Sequence, residues 1–442
     1  MNGWNDTTMG KLLKVEHGFA FKGEHFSETG DLVVLTPGNF HEAGGFRARP
    51  DKDRFYQGRF PDRYLLNRND LIVAMTEQGE GLLGSSALIP ESGRFLHNQR
   101  LGLVRPIKDS ADKTFLYYLF HTDYVRQQIR NSSAGAKIRH TSPERIYRTK
   151  VRVPNKRCQA KIGAILLAYD DLIEINNRHI SLLEKIAEEI YREWFLRLRF
   201  PGHERVKVVK RVPVGWSFDK ASTFFGLVKG KSYAGDEITD DPEHMPFISL
   251  KSFNRGGGYR EDGLKYYSGR YKDNQVVRQN DVVVALTDMT QDRAVVGRPA
   301  RIPNLGKRGG VISLDAVKLV PHNINNTFLY AYMRHSGFSD FIKEFANGTN
   351  VLHLKPELIT KQSIIIPPRK LQDEFAPKAS PLYAQVDFLG EANQRLTMMR
   401  DRLLPRLISG KLSVESLDIQ FPSSMAEELN AESTALTGRA RW

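Results

Sequence analysis

The sequence carries one long-range internal repeat, which constrains the fold more than any other feature. Asn69–Thr76 returns with conservative changes as Asn280–Thr287, and Thr114–Tyr117 returns unchanged as Thr327–Tyr330. Single residues recur in the same order: Gly135, His140, Pro143, Glu144, Ile146, Pro154 and Gln159 return as Gly348, His353, Pro356, Glu357, Ile359, Pro367 and Gln372. The offset of 211 to 213 residues is far longer than a solenoid period. The pattern therefore predicts a duplicated domain with two similar but unequal surfaces.

Each copy has the pattern of a small α+β domain. In the first copy, short β-branched and apolar runs bounded by turn residues predict strands near 32–35, 63–66, 70–75, 86–89 and 101–105. Residues 112–130 predict a helix, because Phe115, Leu119 and Val125 recur at helical spacing. A loop over 135–140 and a closing strand that ends at Pro154 follow. The second copy repeats this order, so each copy is a domain of roughly 150 residues.

A long helix is predicted after each copy. After Pro154, apolar or central positions recur every three or four residues at Ile162, Ile165, Tyr169, Leu172, Asn176, Ile180, Leu183, Ile186, Ile190 and Trp194. About 40 residues at ~1.5 Å each predict a rod of about 60 Å. The second stripe comprises Leu382, Val386, Leu389, Leu396, Met399, Leu403 and Leu407. We expect the two helices to pack antiparallel, because each apolar stripe needs a partner.

Five residues qualify the helix prediction. Pro377 and Pro381 predict that the regular part of the second helix begins only after them, and Pro405 predicts a kinked or frayed last turn capped by Gly410. Asn176 lies within the predicted seam, where a buried Asn fixes register. An exposed polar residue at a helix bend is an equal alternative for Asn176.

The predicted fold class is α+β, with two homologous α+β domains separated by two long antiparallel coiled-coil helices in pseudo-two-fold symmetry. The predicted segments are a first domain (1–154), a first long helix (155–200), a basic linker (201–215), a second domain (216–367), a second long helix (368–412) and a disordered tail (413–442). The basic residues just before Pro213 suit either phosphate contact or a solvated connector, and we favour the connector.

Charge and cysteine content restrict the class of partner. The chain has 65 Lys and Arg against 51 Asp and Glu, which gives a net charge of +14. This excess favours a polyanionic partner, although it also suits simple solubility. The single cysteine excludes an intramolecular disulfide framework and a Cys-rich zinc site. The chain has no apolar run typical of a signal peptide or membrane span, so we expect a cytoplasmic protein without membrane contact.

No motif predicts catalysis or metal binding. Residues 226–232 resemble a phosphate-binding loop but are one residue too short, and no dinucleotide fingerprint, zinc-protease motif or nucleophile elbow is present. His140 and His353 lack companion ligands, so we interpret them as loop-stabilising residues. Glu144 and Glu357 follow prolines and suit the first turn of a helix. The chain is therefore predicted to be a binding protein with no catalytic residue and no metal site.

On these features, residues 1 to about 412 resemble the specificity subunit of type I restriction–modification enzymes. The resemblance rests on the duplicated Asn-Asp strand, the Thr-Phe-Leu-Tyr helix start and the Pro154–Gln159 and Pro367–Gln372 entries to the long helices. It also rests on the two helix ends, Tyr191–Phe195 and Leu403–Gly410.

The resemblance implies that two target-recognition domains each read half of a split target in double-stranded DNA. The long helices would dock two modification (methyltransferase) subunits, which bind S-adenosylmethionine and methylate adenine at N6. Two restriction subunits would cut DNA using ATP and Mg, so this chain would hold no cofactor itself.

Candidate DNA-binding residues are polar side chains on predicted loops, because bases are read by Arg, Lys, Asn or Gln and phosphates by cations and amides. Those of the first domain are Lys22, Arg47, Arg49, Lys52, Arg54, Arg59, Gln78, Gly79, Asn98, Gln99, Arg100, Lys137 and Arg139. Those of the second are Lys229, Lys231, Tyr233, Lys251, Asn254, Arg255, Tyr259, Arg260, Gln291, Arg293 and Asn350. Glu77 and Asp288 begin two of these loops. The alternative for each residue is an ordinary solvated side chain.

Two other functions compete with DNA recognition. The first is a fused restriction–modification enzyme or nuclease with an unrecognised active site, although the duplicated plan leaves little room for a catalytic domain. The second is a coiled-coil scaffold without a nucleic-acid partner, which would not bind DNA even at low salt.

Overall fold

The computed structural model describes residues 3–77, 80–135, 137–422 and 425. The chain divides into two compact units. Unit 1 comprises Met1–Ile173 and Arg395–Trp442, and unit 2 comprises Glu174–Gln394. Each unit contains one copy of the repeat together with part of both long helices. The unit boundaries therefore fall inside the helices rather than at the predicted domain ends near 154 and 367.

Unit 1 contains twelve strands among its described residues. They are β1 (Trp4–Thr8), β2 (Leu13–His17), β3 (Phe26–Ser27), β4 (Val33–Val34), β5 (Phe55–Tyr56), β6 (Leu71–Ala74), β7 (Thr76–Glu77), β8 (Ser86–Leu88), β9 (Phe95–Leu96), β10 (Leu101–Pro106), β11 (Arg139–His140) and β12 (Lys150–Pro154). Its helices are α1 (Lys113–Phe120), α2 (Asp123–Asn131), α3 (Pro143–Tyr147) and the first part of α4 (Lys156–Tyr191).

Strand β6 is the centre of unit 1. It lies in an antiparallel sheet of order β2-β10-β6-β8, beside a smaller sheet of order β3-β5-β4-β9. Leu71 and Val73 face the helix α1, whereas Ile72 and Ala74 face the core beneath the smaller sheet. Successive side chains of a strand point to opposite faces, so a strand covered on both faces is apolar throughout. Two-stranded pairs β1–β12 and β7–β11 complete the unit.

Unit 2 repeats this order. Its strands are β13 (Val208–Val209), β14 (Val212–Pro213), β15 (Ser217–Lys220), β16 (Phe225–Lys229), β17 (Ile238–Thr239), β18 (Met245–Ile248), β19 (Lys265–Tyr267), β20 (Val276–Val277), β21 (Val282–Ala285), β22 (Thr287–Asp288), β23 (Pro299–Arg301), β24 (Gly310–Ile312), β25 (Ala316–Pro321), β26 (Leu352–His353) and β27 (Ser363–Ile366). Its helices are the end of α4, α5 (Asn326–His335), α6 (Phe338–Lys343), α7 (Glu357–Thr360) and most of α8 (Arg369–Ile408).

The sheets of unit 2 match those of unit 1. The order β16-β25-β21-β23 corresponds to β2-β10-β6-β8, and the pairs β15–β27 and β22–β26 correspond to β1–β12 and β7–β11. The central strand β21 is again apolar on both faces, with Val282 and Val284 in one core and Val283 and Ala285 in another. The small sheet gains β20 as an edge strand. The predicted α+β class and its duplication are therefore confirmed.

The long helices run antiparallel within each unit, as predicted. In unit 1, Ile162 near the start of α4 shares a core with Leu407 near the end of α8. In unit 2, Tyr191 at the end of α4 shares a core with Phe375 near the start of α8. A π-helical turn, Arg192–Leu196, extends α4. Among the described residues, none of the helices combines the length and apolar character that crossing a bilayer would need.

The predictions that α8 becomes regular only after Pro377 and Pro381, and that its last turn frays at Pro405, were wrong. The helix is continuous from Arg369 to Ile408 through Pro377, Pro381 and Pro405. A proline inside a helix costs about 3 kcal/mol or more, and burial of the neighbouring Phe375 and Leu407 offsets this cost. The expected cap is confirmed, because Gly410 adopts φ +76° just after the helix.

Asn176 fixes the pairing of the two helices in unit 2. Its side chain is 8% exposed, and its Nδ2 donates to Oδ1 of Asn393 at 2.8 Å. Asn393 in turn donates to Oδ1 of Asn177 at 2.9 Å. The buried-register interpretation is therefore confirmed over the exposed alternative. The predicted seam was wrong at Leu172, Ile186 and Met399, which are 44%, 48% and 52% exposed.

The segment predicted to be a disordered tail is partly docked on unit 1. Val414 and Met425 are buried in the core that contains the start of α4. Lys161 Nζ donates to the carbonyl oxygens of Glu415 at 2.8 Å and Leu417 at 2.6 Å. The prediction of disorder is corrected for 413–422, because the segment packs without helical or strand periodicity and its sequence therefore gave no signal. Residues 423–424 and 426–442 lie outside the described residues.

Candidate nucleic-acid interface

The end of β6 gathers the candidate loops of unit 1. The Met75 N–H donates to the Arg100 carbonyl at 3.0 Å, and the Met75 carbonyl accepts from the Thr141 N–H at 2.9 Å. The 97–100 turn is also held to the 18–22 segment, because the Gln99 N–H donates to the Phe19 carbonyl at 3.0 Å. Loops near 18–22, 80–85, 97–100 and 134–141 therefore meet at one edge of the four-stranded sheet.

Leu286 performs the same role at the end of β21 in unit 2. Its N–H donates to the Asp315 carbonyl and its own carbonyl accepts from the Leu354 N–H, both at 2.7 Å. The Leu314 N–H donates to the Lys231 carbonyl at 2.8 Å, which ties the 230–234 segment to the same edge. The structure thus brings candidate loops of each unit to one sheet edge, and it does so with backbone hydrogen bonds that leave the side chains free to differ.

Two buried carboxylates shape the loop that follows each central strand. Oε2 of Glu77 accepts from the backbone N–H groups of Gly81, Leu82 and Leu83 at 3.1, 3.1 and 2.9 Å. Asp288 accepts from the Val295 N–H at 2.7 Å. Both side chains are buried, so they hold the loops rather than facing a ligand, which corrects their grouping with the loop candidates. Gln78 and Gly79 lie outside the described residues.

Arg126 of α2 is a loop-holding residue that the sequence analysis missed. Its Nε donates to the Leu83 carbonyl at 3.1 Å and its Nη1 to the Glu42 carbonyl at 2.9 Å. It also donates to the Gly81 carbonyl. Burial lowers the pKa of Arg126 from its usual value, but arginine stays charged in proteins. No local signal distinguishes this arginine from others on an amphipathic helix.

The repeated histidines stabilise loops, as predicted. His140 and Ala134 exchange two backbone hydrogen bonds at 2.8 and 3.0 Å, and His353 and Asn347 do the same at 2.9 and 3.1 Å. The His140 Nδ1 also lies 3.2 Å from the Thr76 hydroxyl. These bridges close the short loops that carry Lys137, Arg139 and Asn350.

The repeated glycines are explained by the same loops. Gly135 has φ +99° and Gly348 has φ +150°. A Cβ at either position would collide with the carbonyl oxygen of Ile138 or Val351. Only glycine fits this close backbone approach.

The basic candidates of unit 1 are available to an anion. Those that are exposed are Lys22, Arg47, Lys52, Arg54, Arg59, Arg100 and Lys137, while Arg49 and Arg139 are half-buried. Within the described part of unit 1, none of these nine side chains forms an ion pair with a carboxylate. The Arg54 guanidinium lies 4.1 Å from the centre of the Phe26 ring. Among the amides, Gln99 is exposed, and Asn98 accepts from the Arg100 N–H at 3.0 Å.

The basic candidates of unit 2 are mostly paired. Four of the six lie in ion pairs with carboxylates of the same unit: Lys229 with Glu357 at 2.5 Å, Arg255 with Asp292, Arg260 with Asp262 at 2.6 Å and Arg293 with Glu344 at 2.5 Å. Lys231 and Lys251 have no such pair within the described residues. From the sequence, the cations of both units were equal candidates for DNA binding.

The polar candidates of unit 2 differ in exposure. The Tyr259 hydroxyl is buried without a hydrogen-bond partner among the described atoms, and burial raises its pKa. This corrects the assignment of Tyr259 as a reading residue. Tyr233 is exposed and donates to Oδ2 of Asp315 at 3.3 Å, and partial burial together with Asp315 raises its pKa. Asn254 and Gln291 donate to loop carbonyls.

Comparison with known proteins agrees with this architecture. Residues 1–185 match the family described as Type I restriction modification DNA specificity domain. The chain is 26% identical over 324 residues to the type I restriction enzyme MjaIX specificity subunit of Methanocaldococcus jannaschii, covering 70% of this chain and 71% of that protein. It is 21% identical over 473 residues to the EcoBI specificity subunit of Escherichia coli, covering 99% and 94%. The fold is shared with the S subunit of a type I restriction–modification system from M. genitalium, at a TM-score of 0.60 and 15% identity over 95% and 98% of the two chains.

Residues 1–185 thus match the DNA specificity domain family, and the relatives that align with most of the chain are named specificity subunits of type I restriction enzymes. These matches confirm the resemblance inferred from the sequence.

Proposed function

We propose that the chain reads a bipartite, asymmetric target in double-stranded DNA, with one half-site read by the Met75 edge and the other by the Leu286 edge. The observation that carries this proposal is the repeated backbone arrangement at Met75 and Leu286, which presents four loops in each unit. Equivalent backbones with different loop side chains suit two readers of different sequences. Arg100, for example, lies where the second unit has Asp315.

The chemistry of the loops suits nucleic acid. Exposed guanidinium and ammonium groups neutralise phosphates, and Arg or Gln on a loop can read base edges in the major groove. Arg100 and Gln99 extend from the 97–100 turn, and Lys137 extends from the adjacent closed loop. The cytoplasm, where DNA is available, is the compartment that this function requires.

We further propose that the long helices dock two modification subunits, and that two restriction subunits complete the enzyme. In unit 1, Leu172, Met398 and Met399 are exposed on the helices, and in unit 2 Leu182 and Phe388 are exposed. These exposed apolar side chains support a docking role for the helices, because a partner that covered them would remove apolar surface from water. In this assignment S-adenosylmethionine, ATP and Mg bind to the partner subunits and not to this chain.

The test is selection of a methylation target. The chain would be assembled with its modification subunits and incubated with S-adenosylmethionine and duplexes that carry a randomised segment. Sequencing of the methylated molecules should recover two short blocks of fixed sequence separated by a gap of fixed length. A single continuous motif would contradict the proposal.

Unit-specific variants sharpen this test. Arg100→Ala should relax the sequence requirement in one block only, and Lys231→Ala should relax it in the other block only. A variant that alters both blocks together would show that the two edges do not read separate half-sites. Thr29→Ala, a change in an exposed loop outside the candidate set, serves as the control and should leave both blocks unchanged.

A further inference from the structure

One loop has the same backbone arrangement in both units. The Arg47 N–H donates to the Asn39 carbonyl at 2.8 Å, and the Arg260 N–H donates to the Ser252 carbonyl at 2.9 Å. Each loop is also closed by one isolated β-bridge, between residues 40 and 46 in unit 1 and between 253 and 259 in unit 2. Arg47 and Arg260 therefore occupy equivalent positions.

The residue two positions later reverses its charge between the units. Unit 1 has Arg49, and neither Arg47 nor Arg49 forms an ion pair with a described carboxylate. Unit 2 has Asp262, whose two oxygens accept from Nε and Nη2 of Arg260, both at 2.6 Å. One backbone position thus presents two cations in unit 1 and a neutralised pair in unit 2.

A second equivalent position shows the same reversal. The backbone carbonyl of Arg100 accepts from the N–H of Met75, and that of Asp315 accepts from the N–H of Leu286. Met75 and Leu286 are the residues that follow the two central strands. The Arg100 side chain is exposed. Asp315 accepts from the hydroxyl groups of Thr287 and Tyr233 at 3.1 and 3.3 Å.

Overall charge does not account for this contrast. Residues 1–154 contain 23 Lys and Arg against 17 Asp and Glu, and residues 216–367 contain 20 against 16, so the net charges are +6 and +4. The units differ instead in whether their candidate cations are paired with carboxylates. In unit 2, Lys229 pairs with Glu357 and Arg293 pairs with Glu344.

We propose that unit 1 is the electrostatic anchor of the protein on DNA, and that unit 2 holds its half-site mainly through uncharged and short-range contacts. This inference rests on the proposed DNA recognition. A cation without an internal partner releases one counterion from DNA for each phosphate it neutralises, which makes binding depend on salt. A cation beside a carboxylate brings its own counter-charge to the phosphate and contributes little to that dependence.

The test measures the salt dependence of binding by the chain assembled with its modification subunits. The dissociation constant for a duplex that carries the selected target is measured from about 50 to 200 mM salt. Arg47→Gln and Arg49→Gln should each reduce the slope of log affinity against log salt by about 0.9. The position-matched Arg260→Gln should leave the slope unchanged.

Releasing the paired cation gives a gain-of-charge test. Asp262→Asn should steepen the slope by up to about 0.9, because Arg260 becomes available to a phosphate. Glu374→Gln removes one negative charge from an exposed position at the start of α8 and should leave the slope unchanged. Co-purification with the modification subunits and unchanged thermal unfolding confirm that each variant is folded.

Two results would overturn the inference: Arg260→Gln reducing the slope as much as Arg47→Gln, or Asp262→Asn leaving it unchanged. Either result would leave the bipartite target intact if the selection recovers two blocks. If no split target is recovered, the proposed function itself fails.

Discussion

A buried ion pair between β23 and α8 offers a quantitative test of how unit 2 holds its recognition sheet to the long helix. The Arg301 guanidinium contacts both oxygens of Asp387, at 2.6 and 2.7 Å. It also donates to Oδ1 of Asn280 and to the Tyr383 carbonyl, both at 2.8 Å. Arg301 is 8% exposed, so Asp387→Ala would leave a buried cation with two of its four hydrogen bonds.

The expected loss for Asp387→Ala is about 3 kcal/mol of unfolding free energy. Removing one partner of a buried pair costs ~3–5 kcal/mol, mostly because the remaining charge is stranded. Burial raises the pKa of Asp387 more than the Arg301 guanidinium lowers it, so ionising this carboxylate is already costly in the folded chain. The desolvation cost therefore offsets much of the attraction, which places the loss at the lower end of the range.

The same reasoning predicts that an apolar pair restores stability. Unit 1 already carries Leu88 at the position equivalent to Arg301, because Leu71 pairs with Leu88 as Val282 pairs with Arg301. The double variant Arg301→Leu, Asp387→Leu should lie within about 1–2 kcal/mol of the wild type.

The assay is hydrogen exchange followed by mass spectrometry, which reports the opening of β21, β23 and α8 separately from that of unit 1. Peptides of β6 and β8 are the internal control and should exchange as in the wild type. The reasoning is refuted if Asp387→Ala changes the opening free energy of β23 by less than about 1 kcal/mol, or if the apolar pair is as unstable as the single variant.

Three further predictions concern other buried polar groups. Asn176→Leu should lower the melting temperature, because Oδ1 of Asn393 loses the donor it accepts from, at a cost of about 1–3 kcal/mol. The double variant Asn176→Leu, Asn393→Leu should restore the melting temperature, as calorimetry would measure. Lys161→Met should make 413–422 more susceptible to limited proteolysis because three carbonyl contacts are lost, while the exposed Lys156→Met should not. Burial, followed by the charge of Asp387, raises the pKa of Glu261 from 4.5 to about 7. The folded state therefore holds this proton more tightly, so unit 2 should gain stability as pH falls from about 7 to about 4.5, and Glu261→Gln should abolish that gain in melting curves.

The fold was predictable from the sequence where local pattern and tertiary role coincide. The Asn-Asp strands β6 and β21 are apolar throughout because both faces are covered, and their recurrence revealed the duplication. The antiparallel helices followed from their complementary stripes. The continuity of α8 through Pro377 and Pro381 was not predictable, because burial of Phe375 outweighs a local rule that considers only the backbone.

The candidate site was predictable as a set of loops but not as a set of contacts. The sequence placed Arg100 and Lys137 on loops, but it did not show that these loops meet at the end of β6, and it could not distinguish Arg47 from Arg260. Their difference depends on one carboxylate two residues away, and the geometry of that pair is a tertiary property. Arg126 was missed for the same reason, since its partners are backbone carbonyls distant in sequence.

The backbone holds the loops in place and the exposed side chains face outward, which explains why one scaffold can serve two different half-sites. The contacts at Met75 and Leu286 that gather the loops are backbone hydrogen bonds, which do not depend on the identity of the side chains presented. Inward-facing residues such as Glu77 and Asp288 are constrained, because their carboxylates satisfy loop N–H groups that would otherwise be buried without partners. A change of target can therefore be confined to exposed loop side chains, whereas a change at a buried carboxylate disrupts the edge that presents them.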